Sequence, residues 1–446
     1  MLSAMGLAQA NRWWIGLGAF GIILAVAFAA NGKITAWVEG GHFRQMLDHE
    51  TSKGLKLEGS YSPLSRVGLL GVRADGFTGT KGQKTIVSLD AHQISGWFNP
   101  LGMALHRWQM DDVHVQSGTV TLQETEANPG AKPPGMPWWG WFWPYRVHLE
   151  EVKVDDATAL WQLGGKESGI YHAFLEITPN GHDFEYDARG GNFNTPLTPS
   201  LDLQHLHLLI RKPRLYCGEL LLGDDSAHPE EQVRIHGDAG LQEDRSINLA
   251  VDLTSLNVSP WLPEKWRAHV LGYASGHFDY KSSGTGVETA QGQGHLSVAH
   301  GVLHELAPIR HYIALTGSPD PGDLALKVCE TDVNWKEGAV AAENLQMECE
   351  GVFRLEGMIQ VAKDQSLSGS LQLGITEPYL RWLPTARATI FTRQEGIYYF
   401  TTITLSGTLK QPREDLASRV LAQVEKSPST ELKLFFNQAG EWLDFR

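Results

Sequence analysis

The sequence is poor in charged residues, and cations are the scarcer kind. Charged residues make up 20% of the 446 residues, and 37 Lys and Arg stand against 51 Asp and Glu. Nucleic-acid binding needs clustered cations, so a net charge of −14 argues against a nucleic-acid partner. The 47 glycines and 21 prolines indicate instead a β-rich chain with many turns.

Cysteine is scarce as well. Cys217, Cys329 and Cys349 are too few for a disulfide scaffold and lack the spacing of a metal site. Cys329 and Cys349 flank a predicted hairpin around residues 336–338, where they could form a disulfide in an oxidising compartment. The alternative, which we favour, is a pair of unlinked and half-buried thiols.

Catalytic motifs are absent from the sequence. It contains no glycine-rich phosphate loop, no nucleophile elbow and no HExxH motif. The acidic pairs Asp111/Asp112, Glu150/Glu151 and Asp155/Asp156 are predicted to be solvated charges at strand ends, where they discourage edge-to-edge pairing. We therefore predict no catalytic residue, no metal site and no cofactor, and a protein that is not an enzyme.

One long apolar run occurs, at residues 13–30, and it carries no charge. At ~1.5 Å per residue a helix of this length covers roughly 27 Å, close to the hydrocarbon thickness of a bilayer. We predict a retained signal anchor, with the rest of the chain on one side of the membrane. A cleaved signal peptide is the alternative, because Ala27-Phe28-Ala29 resembles a cleavage site.

The chain after this span is predicted to be mainly β, since apolar residues recur at every second position from residue 54 onward. Short helices are predicted to interrupt the strands where a proline follows a capping residue or the apolar spacing is helical. The predicted divisions are a cytoplasmic tail and anchor (1–31), a short helix or linker (32–53), a β-rich groove (54–412) with helices near 99–106, 259–268, 301–314 and 377–383, and a C-terminal helix and tail (413–446).

An internal repeat is the most informative pattern. Residues 110–122 recur 39 positions later as residues 149–161. Each copy contains two acids, Val-x-Val, a small-residue turn and a second alternating strand, which predicts a hairpin. An internal repeat of hairpins indicates one sheet extended by similar units. The apolar residues predicted to share one face, and to form a lipid groove, are Val113, Val115, Val120 and Leu122 in the first copy and Val152, Val154, Ala159 and Trp161 in the second.

Between the two copies lies a segment that is rich in proline and aromatic residues. Its aromatic residues are Trp138, Trp139, Trp141, Phe142 and Trp143. One interpretation is an exposed aromatic plug that enters a membrane interface or a partner's groove. The other, which the prolines favour slightly, is a loop folded back over the sheet as local core.

Several segments share their pattern with one known family. The N-terminal span is followed by FRQMLDHETSKGLKLEG and ISGWFNPLGMALHRWQMDDVHVQSGTVTLQ. The C-terminal part contains VAHGVLHELAPIRHY, CEGVFRLEGMIQV, LSGSLQLGITEPYLRWLP and FTTITLSGTLKQPREDL. Together these segments resemble the AsmA-like family of Gram-negative envelope proteins.

The resemblance implies both a fold and a role. The fold would be an elongated, curved antiparallel sheet, a taco-like groove with an apolar inner face, behind an N-terminal transmembrane helix. The role would be lipid transfer or lipid homeostasis between the membranes, with the anchor in the bacterial inner membrane and the bulk of the chain periplasmic. Implied partners are phospholipid or another envelope lipid, the inner membrane, and outer-membrane or periplasmic proteins. The alternative is a non-conducting scaffold for envelope proteins.

Overall fold

A computed structural model describes most of the chain after residue 31. The described residues are 32–33, 35–68, 70–82, 85–99, 102, 107–123, 146–163, 165–180, 183–196, 198–224, 228–241, 246–283, 289–306, 310, 313–314, 316–382 and 384–424. The predicted span at residues 13–30 lies outside them. Within the described part of the chain, no helix combines the length and the apolar character of a membrane span. The fold is mainly β, as predicted.

The chain divides into two compact units, Met1–Pro196 and Leu197–Arg446. Unit 1 contains helix α1, Gly41–Leu55, which overlaps the predicted helix or linker at 32–53 and ends two residues beyond it. Its strands are β1 Glu58–Tyr61, β2 Leu64–Val67, β3 Gly71–Thr80, β4 Ile86–Asn99, β5 Arg107–Leu122, β6 Arg146–Leu149, β7 Val152–Leu163, β8 Lys166–Asn180, β9 Asp183–Arg189 and β10 Asn192–Asn194.

The repeat in unit 1 forms long strands rather than hairpins. Strand β5 pairs in parallel first with β6 and then with β7, at a constant offset of 39 residues, as in Met110 with Leu149 and Val113 with Val152. The prediction of two hairpins in a wholly antiparallel sheet is therefore wrong. Parallel neighbours require a connection of a dozen residues or more, and the chain between Leu122 of β5 and Arg146 of β6 is long enough for one. The remaining pairs of unit 1 are antiparallel: β1–β3, β2–β3, β3–β4, β4–β5, β7–β8, β8–β9 and β8–β10.

Helix α1 covers one end of this sheet. Phe43 and Leu47, four positions apart and thus on one helix face, are buried against Leu64 of β2 and Val72 of β3. Ile94 and Phe98 of β4 pack against the same cluster. The helix ends at Lys56, which adopts a left-handed conformation and returns the chain into β1.

Unit 2 consists mainly of antiparallel strands. They are β11 Leu201–Arg211, β12 Arg214–Asp224, β13 His228–Gly240, β14 Ile247–Asn257, β15 Val270–Ser282, β16 Ala290–Leu303, β17 Leu324–Ala325, β18 Val328–Lys336, β19 Ala339–Cys349, β20 Phe353–Val361, β21 Leu367–Thr376, β22 Arg393–Glu395, β23 Tyr398–Thr408 and β24 Gln411–Glu414. Most neighbours in the chain are neighbours in the sheet, and the β18–β19 hairpin turns through Glu337 and Gly338, both with positive φ.

The short helices of unit 2 lie between the strands. A 3₁₀ turn, Ser259–Trp261, and helix α2, Glu264–Arg267, occupy the predicted interval 259–268. Helix α3, Glu377–Leu380, lies in the predicted interval 377–383, and α4, Pro384–Thr389, follows directly after it. Helix α5 is Leu416–Val424, in the predicted C-terminal region. Leu380 and Val420 are buried with Ile390 and Phe391, so α3 and α5 close one end of the unit 2 sheet.

Two predicted helical intervals begin with strand residues and continue with helical ones. The described helical residues are 102 in the first interval and 310, 313–314 and 316 at and just beyond the second. Asn99, predicted to cap the first of these helices, is the last residue of β4 and pairs with Gln109 of β5. Residues 301–303 are the end of β16, where Val302 and Leu303 pair with β17. At residues 301–303, strand pairing overrides the helical spacing of the apolar residues.

Candidate functional site

The predicted groove residues of unit 1 line one face of the sheet. Val113, Val115 and Val154 are buried in a cluster with Ala91 of β4, and Val152 packs against them. The described members of this cluster all belong to the neighbouring strands β4, β5, β7 and β8. Val120, Leu122, Ala159 and Trp161, the other predicted groove residues, are half-buried further along the same strands.

The residues of the first copy share a face because the strand alternation is reset within it. Val115 and Val120 are five positions apart, so a regular strand would point them to opposite faces. A Cβ atom placed on Gly118 would lie 3.7 Å from Cγ1 of Val154, the strand partner of Val115. Gly118 therefore faces the same side as Val115, and alternation from Gly118 brings Val120 and Leu122 to that side.

The second copy contains the same reset. The pairing of β7 with β8 shifts register between Val154 and Ala157, and His172 of β8 has a positive φ of 60° beside the shift. Ala157 packs against the cluster that contains Val154, although the two residues are three positions apart. A β-bulge of this kind inserts one residue and keeps both halves of the strand facing the apolar side.

The opposite face of unit 1 is polar. It holds an open basin of about 430 Å³ lined by Arg73, Asp75, Gln93, Ser95, His114, Gln116 and Asp155. His114 Nε2 lies 2.9 Å from Asp155 Oδ2, across the parallel pair β5–β7. The sheet of unit 1 therefore separates an apolar face from a water-facing one.

Two of the three acidic pairs, Asp111/Asp112 and Asp155/Asp156, lie inside strands and not at strand ends as predicted. The third, Glu150/Glu151, lies between the end of β6 and the start of β7, as predicted. Asp155 and Asp156 are inside β7, where Asp156 Oδ1 lies 3.0 Å from His172 Nδ1. Glu151 lies just before β7, and its Oε2 atom accepts a hydrogen bond from Nζ of Lys153 in β7 at 2.7 Å. This hydrogen bond lowers the pKa of the Glu151 carboxyl. All of these side chains belong to the solvated face, which agrees with the prediction that they are solvated.

Unit 2 carries a second apolar face, made of rows of directly opposed residues. The first row crosses the sheet from β11 to β23 through Leu206, Leu220, Ile235, Val251, Phe278, Gly294, Val333, Ala342, Ile359, Gly369 and Leu405. Opposed residues in neighbouring strands point to the same face. No member of this row is polar or charged, and all but Leu206 are half-buried.

Two further rows flank the first on the same face. In most strands the second row lies two residues from the first, as Leu249 does from Val251 on β14. Its members are Leu208, Cys217, Gly237, Leu249, Tyr280, Gly292, Trp335, Val340, Val361 and Leu367. The third contains Leu203, Leu222, Val233, Leu253, Gly276 and Leu296. We call these three sets the apolar rows of unit 2.

Glycines on β16 leave room for aromatic rings in the apolar rows. A Cβ atom on Gly294 would lie 2.3 Å from Cδ1 of Phe278, so the phenyl ring occupies the space that a side chain would fill. Gly292 lies between Tyr280 and Trp335, whose rings meet edge to face with centroids 5.4 Å apart. The rings of Phe278, Tyr280 and Trp335 therefore form the centre of this apolar face.

The other face of unit 2 carries pairs of histidine and carboxylate between neighbouring strands. His277 Nδ1 lies 2.7 Å from Asp252 Oδ1, and His295 Nδ1 lies 2.8 Å from Asp332 Oδ1. The hydrogen bond to Asp252 raises the pKa of His277. His205 is paired in the same way with Glu219, at 3.0 Å. Each of these side chains belongs to a residue next in sequence to a member of the first apolar row. Because side chains alternate along a strand, they lie on the opposite, water-facing side of the sheet.

The remaining predicted residues have simpler outcomes. The aromatic residues Trp138, Trp139, Trp141, Phe142 and Trp143 lie outside the described residues. Cys329 and Cys349 are free thiols, and Cys329 opposes Met347 rather than Cys349 in the β18–β19 pair. Burial raises the pKa of both thiols.

No family model matches the chain, and neither a curated protein nor a solved structure is significantly similar to it. The resemblance to the AsmA-like family therefore stays a proposal.

Proposed function

We propose that this protein is a membrane-anchored, periplasmic lipid-binding or lipid-transfer protein of the AsmA-like type. Its role would be in outer-membrane lipid homeostasis and envelope biogenesis. The observation that carries the proposal is the set of apolar rows in unit 2, which continue across the sheet without a charged residue. The apolar faces of the two repeat copies in unit 1 support it.

The size of the apolar rows favours a ligand with long hydrocarbon chains. With strands ~4.8 Å apart, the first row is roughly 48 Å long, and the first two rows, half-buried or exposed except at Leu206, cover on the order of 600 Å². Exposed apolar patches on monomeric soluble proteins rarely exceed a few hundred Å². Covering such a surface contributes about 2.5 kcal/mol for each ~100 Å² removed from water.

The chemistry of the rows favours lipid over an extended polypeptide. A peptide laid across Val251, Phe278 and Val333 would bring backbone N–H and C=O groups that these side chains cannot satisfy. An acyl chain carries no such groups. The scaffold alternative has no comparable observation in its favour.

The same proposal assigns roles to the regions outside the described residues. Residues 13–30 would anchor the protein in the bacterial inner membrane, and both units would lie in the periplasm. The aromatic residues at 138–143 would contact the membrane interface, where tryptophan is enriched. Lipid binding requires neither a catalytic residue nor a cofactor.

The proposal is tested by placing a charge on each face of one strand. Val251 belongs to the first apolar row, while the adjacent Ala250 faces the polar side, opposite His236 and Asp279. We expect Val251→Asp to lower the phospholipid that co-purifies with the gently extracted full chain by about fivefold or more, because a carboxylate in contact with hydrocarbon is costly. The measurement is quantitative mass spectrometry of extracted lipid.

Ala250→Asp is the matched control, and it is expected to retain the parental amount of lipid. Both variants are compared with the parent by thermal melting, so that unfolding is distinguished from loss of the ligand. A parent that carries no lipid, or equal lipid in the two variants, would refute the proposal.

A further inference from the structure

A buried carboxylate lies at one end of the apolar rows of unit 2. Only 8% of Glu231, on β13, is exposed. Val233, two residues further along the strand, belongs to the third apolar row, and residues two apart on a strand share a face. Gln232 is half-buried and Arg234 is exposed, so burial alternates along this part of β13. The alternation places Glu231 on the apolar side of the strand.

Strands β14 and β15 continue the apolar face beyond the third row. Ala274 of β15 lies two residues from Gly276 of that row, and it opposes Leu256 of β14. Leu256 and Ala274 are buried, with 5% and 6% exposed. Leu256 reaches this face although it is three positions from Leu253, because the pairing of β14 with β15 shifts register between them. The end of β14 therefore presents an apolar side chain beyond the third row.

Only one oxygen of the Glu231 carboxylate has a partner at this end of β14. The backbone N–H of Asn257, the residue after Leu256, donates to Glu231 Oε2 at 3.2 Å. Glu231 Oε1 is buried and has no hydrogen-bond partner among the described residues. Burying a carboxylate costs free energy unless it is paired, and most buried polar atoms in proteins have a partner. The unpaired oxygen therefore indicates a ligand at this position.

Carboxylates on the opposite face of unit 2 show that the chain can supply such partners. Asp252 and Asp332 each lie within 2.8 Å of a histidine nitrogen, and Glu219 lies 3.0 Å from His205. Those carboxylates face water, where an unpaired oxygen would cost little. Glu231 lies on the apolar side, where an unpaired oxygen costs most.

The chemistry of the unpaired oxygen selects the kind of ligand. An ionised carboxylate only accepts hydrogen bonds, and its strongest partners are cationic donors. Calcium takes about six to eight oxygen ligands, and among the described residues Glu231 belongs to no cluster that could hold a metal ion. An ammonium group can bind a single carboxylate, because its N–H donors form charge-assisted hydrogen bonds with one oxygen.

We propose that Glu231 binds the ammonium head group of a phospholipid whose acyl chains lie on the apolar rows, and so selects aminophospholipids over anionic ones. The inference rests on the proposed function and adds the class of lipid to it. Glu231 is two residues from the third row, about 6.7 Å along the strand, so one lipid can reach both. A head group of net negative charge would bring a like charge to a buried carboxylate.

The test is a competition between two head groups. The full chain is exchanged against vesicles of equimolar phosphatidylethanolamine and phosphatidylglycerol with matched acyl chains, and bound lipid is counted by mass spectrometry. We expect the parent to prefer phosphatidylethanolamine by about tenfold, the factor that one charge-assisted hydrogen bond supplies. Glu231→Gln keeps an acceptor for the Asn257 N–H but removes the charge. It should bind the same total lipid with the preference lost.

Two controls keep the test decisive. Glu230→Gln removes the neighbouring carboxylate, which is exposed, and should retain the parental preference. Phosphatidylethanolamine with an acetylated amine has the same acyl chains but no ammonium group, and the parent should bind it no better than phosphatidylglycerol. This second control needs no variant, so it carries the test alone if Glu231→Gln loses its melting transition.

The outcomes separate the head-group inference from the proposed function. A parent that binds the two lipids in vesicle proportion, or a folded Glu231→Gln variant that keeps the preference, would overturn the inference and leave lipid binding intact. Equal loss of both lipids in Glu231→Gln would overturn it as well. A parent that binds neither lipid would overturn the proposed function, and the inference with it.

Discussion

The helix-covered cluster of unit 1 and the first two apolar rows of unit 2 are built from similar residues but differ in burial. Under helix α1, Phe43 has no exposed surface and Val72 retains 6%. In the second row of unit 2, Trp335 retains 36% and Val340 retains 39%. Burial within unit 2 is uneven, because Leu203 and Leu222 of the third row retain only 1% and 2%. The first two rows are therefore the part of the unit 2 face that remains a surface.

The cause lies in the helices that each unit provides. Helix α1 has 15 residues and presents Phe43 and Leu47 to the sheet. Between β14 and β15, the 3₁₀ turn Ser259–Trp261 and helix α2 are short and bury no residue. Among the described residues, the helices of unit 2 that do bury apolar side chains, α3 and α5, lie at the β21–β23 end.

Truncating one phenyl ring in each region gives the largest expected contrast. We expect Phe43→Ala to lower the free energy of unfolding by about 3–5 kcal/mol, because it opens a cavity in a closed core. Phe278→Ala should cost about 1 kcal/mol, since a half-buried ring leaves no closed cavity. Urea unfolding followed by circular dichroism measures both, and equal losses would remove the distinction between the two regions.

A smaller effect is expected from pH at the covered end of unit 2. Burial, together with the 2.9 Å hydrogen bond to Glu348, raises the pKa of Tyr398 to about 12 from its ordinary value of 10.0. A raised pKa in the folded state means stability that is complete below pH 10 and is lost as pH rises to 12. We expect a loss of about 2–3 kcal/mol across that interval.

Tyr398→Phe isolates this contribution. The variant should lose the part of the pH dependence that lies between pH 10 and 12, while its ultraviolet titration loses one late-ionising phenol. Tyr399, the next residue on β23, provides the control, and Tyr399→Phe should keep the late-ionising phenol. An unchanged alkaline titration in Tyr398→Phe would contradict the assignment.

Much of the fold could be predicted because it follows from local patterns. The period-two alternation after residue 54 gave strands, and proline after a capping residue marked the helical turns at 259–268 and 377–383. The grouping of Val113, Val115, Val120 and Leu122 on one face also agrees with the structure, although through a reset of alternation and not through a turn.

The pairing of the repeat copies could not be predicted in this way. Ser117 and Gly118 have the composition of a turn, yet they lie inside β5 because their partners on β4 and β7 continue the sheet past them. Parallel pairing at an offset of 39 residues depends on a crossover between distant segments, which no local pattern encodes. The constant offset of the repeat was the signal that could have indicated it.

The apolar rows of unit 2 were missed for a related reason. Register shifts, such as that between Leu253 and Leu256 on β14, break the alternation that would connect the strands into rows. Glycines such as Gly294 also leave the pattern without an apolar side chain, although Phe278 fills the space. The rows become visible only when the register of each strand pair is known.

Photocrosslinking from the two faces of β14 tests the central claim most directly. A photoreactive phenylalanine derivative is placed at Val251, in the first apolar row, or at Ala250, on the polar face, and the full chain is irradiated in cells with labelled phospholipid. The account predicts a lipid adduct at position 251 and none at position 250. Crosslinks at position 251 to protein alone, or equal lipid labelling at both positions, would contradict it.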